Sequence, residues 1–158
     1  MPKTLIRPMI RRDKPECIAL NRQDPDANQV HESDFYERPE LIGLVIEVDD
    51  AIRGWVLFER NIRDYLIDSM FVDVYFRRFG LATKLIDYFK FKVDRGSMNC
   101  IDFVVDEKNL QLQQFLRASG LEAVRVNREA WIEEGDDRVD VRDSYTFEYY
   151  GCRAIASC

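Results

Sequence analysis

Apolar residues change their spacing along this chain, and the changes mark its elements. Between Leu41 and Val72 they come in dense runs: LIGLVIEV (Leu41–Val48), IRGWVLFE (Ile52–Glu59) and YLIDSMFV (Tyr65–Val72). Short runs rich in β-branched and aromatic residues are strand patterns. Asp49-Asp50-Ala51 joins the first two as an antiparallel hairpin, and Asn61–Asp64 leads into the third as a meander. From Leu81 the period lengthens. Leu81, Leu85, Ile86, Phe89 and Val93 fall on one face of a helix that Gly96 and Ser97 end. Cys100–Val105 (CIDFVV) is a buried-strand pattern. Asn109–Ser119 is a second helix, with Leu112, Phe115 and Leu116 on one face and Gly120 as its stop.

The flanks are less regular. Thr4–Arg11 reads as a strand that Pro8 places at an edge. Lys14–Arg22 reads as a helix with Pro15 in its first turn and Ile18 and Leu20 available for packing. The polar stretch Asp24–Glu40 holds a short helix around Val30–Tyr36. Leu121–Val126 (LEAVRV) and Ser144–Tyr150 (SYTFEYY) read as two strands around an acidic, irregular stretch containing EEGDD. With no repeat and no linker, residues 1–158 form one domain. The order predicts an α+β (mixed α/β) fold: a mixed, mostly antiparallel sheet of six to seven strands with about four flanking helices. Its strand–helix–strand unit requires a right-handed crossover. A ligand is expected at the strand–loop–helix junction.

Composition narrows the function. The chain has 158 residues, 23 basic and 29 acidic, for a net charge of −6. Hydrophobic residues make up 46% and aromatics 12%, which excludes disorder. The acidic balance argues against a nucleic-acid partner. No apolar run approaches the roughly 18–20 residues that span a bilayer, and MPKTLIRPMIRR lacks a signal peptide's apolar core, so a cytoplasmic location without membrane contact is expected. Cys17, Cys100, Cys152 and Cys158 form no CxxC pair, and His31 is the only histidine. Neither a metal site nor a His-containing triad is expected. Free thiols in a reducing compartment and a solvated His31 are the simplest expectations.

Chemistry gathers at the junction VDVYFRRFGLATKLI. Arg77, Arg78, Phe79, Gly80, Leu81 and Ala82 join a strand end to a helix start, where backbone N–H groups can form an anion nest. Gly80 allows close approach of a phosphate, and Arg77, Arg78 and Lys84 put positive charge nearby. An ordinary helix start with two solvated arginines would look the same from this segment alone.

Two motifs separate these readings. Arg77-x-x-Gly80-x-Ala82, after a strand and before an amphipathic helix, resembles motif A of the GNAT acyl-CoA N-acyltransferases. Asn109 with FLRASGL (Phe115–Leu121) resembles their motif B. The element order is similar to the GNAT fold over nearly the whole chain, and most similar to the group of ribosomal-protein alanine N-acetyltransferases, including the segment Arg125–Trp131. The resemblance implies acetyl-CoA as co-substrate. It implies that Met70, Phe71 and Val72 offer backbone groups to the pantetheine arm. Arg77 opens the loop motif, and Arg78, Phe79, Gly80, Leu81, Ala82 and Thr83 would cradle the pyrophosphate. Asn109 would contact the cofactor from motif B. It also implies fourth and fifth strands splayed by a bulge, with a fourth-strand N–H polarising the thioester carbonyl.

The departures are chemical. Val104 stands where the ribosomal group has a glutamate base, Leu116 where many GNATs have a tyrosine acid, and Val74 where a proline is usual. An alkyl ammonium is mostly protonated at neutral pH, so an acceptor amine must still lose a proton. Asp68, interrupting the run YLI-D-SMFV, and Asp102, on the same strand face as Val104, are the candidate catalytic carboxylates. Tyr145, Tyr149 and Tyr150 are candidate acids. The expected reaction is direct acetyl transfer to a primary amine, a protein N-terminus or a small amine, that the negative charge would attract. The alternative is a non-catalytic acyl-CoA sensor or interaction protein. Monomer and homodimer both stay open.

Overall fold

The meander forms as the apolar pattern requires. In the computed structural model, which describes residues 2–24, 30–134 and 139–151, β2 (Leu41–Val48), β3 (Ala51–Arg60) and β4 (Asp64–Val72) pair antiparallel in sequence order. The β2–β3 turn places Asp49 and Asp50 at φ 50° and 70°. Two successive left-handed residues give a hairpin turn whose twist matches its strands, and Asp tolerates that conformation. A crossover through α3 (Leu81–Asp94) then lays β5 (Cys100–Asp106) parallel to β4. With β1 (Thr4–Pro8), β6 (Glu122–Glu134) and β7 (Val139–Tyr149), the sheet has seven strands in the order β1-β2-β3-β4-β5-β7-β6. Every pairing except β4–β5 is antiparallel. The fold is α+β, with β1 at an edge as Pro8 requires.

Helices cover both faces. α3 and α4 (Leu110–Ala118) pack one side, where Leu81, Leu85, Ile86, Phe89, Val93 and Leu116 meet Ile67, Ile101, Phe103, Val105 and Phe147. Phe89 lies edge-on to Phe58 and Tyr65, with ring centroids 5.0 Å away in both cases. α1 (Lys14–Asn21) and α2 (Glu32–Tyr36) cover the other face, burying Cys17, Ile18 and Phe35 on Trp55, Leu57 and Phe71. Among the described residues no helix is long and apolar enough to cross a membrane.

Element ends differ from the sequence pattern where a polar side chain or a bulge intervenes. β1 stops at Pro8 because Arg11–Asp13 forms a 3-10 turn. The buried Asp13 carboxylate holds that turn by accepting from Arg7 Nη1 at 2.7 Å and from the Ile10 N–H at 2.8 Å. β6 and β7 run 13 and 11 residues, further into the acidic stretch than the patterns LEAVRV and SYTFEYY suggest. Bulges interrupt their register, and Glu129 takes φ 51° with its N–H bonded to Asp143 Oδ1 at 2.8 Å. Residues 135–138 of the expected irregular stretch lie outside the described residues, as do Cys152 and Cys158.

Candidate active site

Asp73 ends the fourth strand and begins the loop. Its N–H donates to the Arg53 carbonyl on β3 at 2.8 Å. Its Oδ1 accepts from the Tyr75 N–H at 3.0 Å, capping a 3-10 turn over Val74–Phe79. Gly80 follows at φ 68°, and a Cβ there would meet nothing within 4 Å. Glycine is needed here for backbone conformation, while the space outside the loop stays open. No side chain caps α3, so the N–H groups of its first turn present the helix's positive end. That combination is suited to an anion.

The sequence places two arginines at this loop, and they do different things. Arg77 Nε donates to the Val72 carbonyl at 3.4 Å, and its guanidinium lies over the Phe71 ring and pairs with Asp24 at 3.9 Å. It ties loop to strand. Arg78 is exposed. Lys84 Nζ, one turn into α3, donates to Thr4 Oγ1 at 3.3 Å.

Beside the loop the sheet opens. β4 and β5 pair only from Asp64↔Cys100 to Ile67↔Phe103, although β4 continues to Val72 and β5 to Asp106. The cause lies on β4. Leu57 is opposite Ser69 and Phe58 opposite Ile67, which leaves Asp68 as the extra residue of a bulge. Alternate residues of an antiparallel strand turn their backbone groups the same way. Since Asp73 faces β3, Phe71 does too, and Met70 and Val72 turn their N–H and C=O groups away from β3 into the gap. Arg77's bond to the Val72 carbonyl agrees with that direction.

Ile101, Phe103 and Val105 enter the α3–α4 core, so Asp102 and Val104 face the α1–α2 side. Val104 is 45% exposed there. Asp68 also faces this side, and its Oδ1 accepts from Arg38 Nη1 at 3.0 Å. Arg38, just past α2, also binds Glu40 at 2.9 Å and Asp34 at 3.5 Å. Asp68 is therefore held in an ion network. Asp102 is placed differently. It lies opposite Glu148 on β7, and burial together with that neighbouring carboxylate pushes its carboxyl up to about 6. The Cys100 thiol donates to Asp102 Oδ1 at 3.7 Å and is itself pushed up by burial and by Asp102. Asp68 and Asp102 thus share a sheet face but not a partner.

Asn109 caps α4, its Oδ1 accepting from the Leu112 N–H at 3.1 Å. Leu116 is fully buried. The three tyrosines separate. Tyr145 packs on the α3–α4 core, and Tyr149 donates to Asp94 Oδ1 at 2.7 Å. Tyr150 donates to Glu148 Oε2, on the Asp102 side. Glu148 and Gln113 are not evident from pattern alone. Glu148 shares the alternating polar face of SYTFEYY with Ser144 and Thr146, a usable signal. Gln113, 4% exposed, donates to the carbonyls of Asp106 and Glu107 at 3.2 and 3.0 Å and so fixes the β5–α4 junction. Among the described residues no group of three or more His, Cys, Asp or Glu is placed to hold a metal ion.

Comparison with known proteins identifies the family and the fold. Residues 7–121 match the model of the Acetyltransferase (GNAT) family. No curated protein matches the chain by sequence. Among solved structures, the ribosomal-protein-S18-alanine N-acetyltransferase from Escherichia coli superposes with TM-score 0.77 at 12% identity, over 94% of this chain and 95% of that one. Arabidopsis thaliana NAA60 in complex with acetyl-CoA gives 0.73 at 16%, over 94% and 98%. yncA from Salmonella typhimurium, with acetyl-CoA, gives 0.68 at 14%, over 93% of each.

Proposed function

The chain belongs to the acetyltransferase (GNAT) family, and from that premise we propose that it transfers the acetyl group of acetyl-CoA directly to a primary amine. One observation carries the reading: the β4–β5 gap opens beside the uncapped N-terminus of α3, so the helix's positive end and strand backbone groups without a neighbouring strand lie in line. The co-substrate supplies an activated thioester. The chain's residues fit it: Arg78, Phe79, Gly80, Leu81, Ala82 and Thr83 hold the pyrophosphate by main-chain N–H groups, with Arg77 fixing the loop to β4. Met70 and Val72 meet the pantetheine arm, Phe71 supports them from the other face, and Asn109 approaches from α4. The Met70 N–H is the strand donor turned toward the thioester carbonyl, where it stabilises developing negative charge.

The acceptor enters from the α1–α2 face. Its ammonium proton passes first to the protein or water, the neutral nitrogen bonds to the acetyl carbon, the carbon–sulfur bond breaks, and the coenzyme A thiolate departs, protonated by an acid or by water. Asp102, opposite Leu66 just before the gap opens, is the candidate acceptor for the ammonium proton. A carboxylate poised near 6 combines enough ionised fraction at neutral pH with enough basicity to take a proton. Asp68 serves as the anchor for Arg38 at the gap's rim. Tyr150, which donates to Glu148 on the Asp102 side, is the candidate acid. Acceptors such as protein N-termini are consistent with the likeness to the ribosomal-protein-S18-alanine N-acetyltransferase from Escherichia coli.

The apolar Val104 and the buried Leu116 favour the second reading, an acyl-CoA-binding protein without turnover. A thiol-release assay with acetyl-CoA and a panel of peptide N-termini and small amines separates the two. Turnover with any amine supports transfer. Coenzyme A binding with no active amine would replace it by the sensor reading.

A further inference from the structure

Gln23 lies just past α1, far in sequence from the loop it touches. Its side-chain Oε1 accepts the Val74 N–H at 3.1 Å, and its Nε2 donates to Asp73 Oδ1 at 3.3 Å. These bonds fall at the first residues of the turn that delivers Gly80. The first three N–H groups of such a turn have no partner within it. Counted from the cap, Asp73 goes to the Arg53 carbonyl at 2.8 Å, Val74 to Gln23 and Tyr75 to the Asp73 carboxylate at 3.0 Å, and Phe76 then makes the turn's own first bond, to the Asp73 carbonyl at 2.8 Å. Asp73 is 3% exposed, and its Oδ2 accepts from Arg53 Nη1 at 3.3 Å. The Arg53 guanidinium in turn lies 4.2 Å from the Phe76 ring centroid, and Phe76 stacks on Phe79, the residue before Gly80. Asp24 adds its ion pair to Arg77. The end of α1 is therefore fastened to the whole turn, and an amide is the group required. It accepts from a backbone N–H with one atom and donates to a buried carboxylate with the other.

We propose that Gln23 is a positioning residue for coenzyme A: it holds the Val74–Phe79 turn in the orientation that aims the Gly80–Thr83 N–H groups at the pyrophosphate. The inference rests on the acetyl-CoA reading above. Gln23→Ala removes both bonds. Gln23→Glu keeps an acceptor for Val74 but sets a second carboxylate against Asp73.

Calorimetric titration of the full chain with coenzyme A tests this. Two lost hydrogen bonds should weaken binding about tenfold in Gln23→Ala. Gln23→Glu should bind at least as poorly. Gln111→Ala, exposed on α4, should match the unsubstituted chain. Hydrogen exchange without ligand should show faster exchange of the Val74 amide in Gln23→Ala. Unchanged affinity in Gln23→Ala, even with a lowered melting temperature, would overturn the positioning role, as would an unchanged Val74 amide. Failure of the unsubstituted chain to bind coenzyme A at millimolar concentration would instead remove the cofactor reading and this inference with it.

Discussion

Asp102 carries the clearest pH signature in the molecule. Its folded-state value near 6 lies above the ordinary 3.8, so the native state holds the proton more tightly than the unfolded chain. Stability therefore falls as pH rises from about 4 to 6, because deprotonation in the fold leaves a partly buried charge that faces a second carboxylate. Asp102→Asn should raise the melting temperature at pH 7.5 and have little effect at pH 4, a difference that thermal scans at the two values read directly. If Asp102 accepts the amine proton, the same variant should lower kcat/KM at least tenfold and remove an acid limb near pH 6. A variant with the parent's pH profile would reassign the proton to water. Leu116 is the residue-scale counterpart. Leu116→Tyr adds volume to a fully buried site, so it should cost about 1–3 kcal/mol, read from denaturant midpoints, and add no turnover.

At the scale of elements, the loop's function depends on one backbone conformation. Gly80 sits at φ 68° with open space where a Cβ would go. Gly80→Ala brings no clash, only left-handed strain of about 1–2 kcal/mol. The melting temperature should drop by roughly 2–8 °C, and coenzyme A affinity should fall further as the N–H groups turn away. Equal affinity in the variant would show that this conformation does not serve the anion. The sequence announces this element well, since Arg77-x-x-Gly80-x-Ala82 has a local mechanism. The gap is less legible. YLIDSMFV shows that Asp68 interrupts an apolar run, but only the pairing of β4 with β3 shows that it is the extra residue of a bulge.

At the scale of the whole molecule, two bulk measurements follow. Coenzyme A at a hundredfold its Kd should stabilise the fold by about 2.7 kcal/mol, a rise of roughly 5–11 °C in melting temperature. Absence of any rise at saturating ligand would remove both readings of the site. The net charge of −6 should also show in kinetics. The acetylation rate of a cationic amine should fall between 20 and 200 mM salt, on the order of several-fold, while that of a neutral hydroxylamine-type acceptor stays flat. Equal salt responses would mean that long-range attraction plays no part in acceptor capture.

Local patterns determined most of the architecture. The helix face from Leu81 to Val93, the apolar runs of the meander and the glycine-bearing loop each follow from spacings of a few residues, and those physical causes act over the same short range. What depends on distant partners waited for the tertiary structure. Glu148 raises Asp102 because β7 lies beside β5; Arg38 claims Asp68 because α2 ends above the bulge; Gln23 reaches Val74 from 51 residues away. Hydrogen bonds and charges act over a few ångströms of space, whatever the separation in sequence. The sequence could therefore supply the carboxylates and the loop, and only the fold could decide which carboxylate pairs with a cation and which faces another carboxylate.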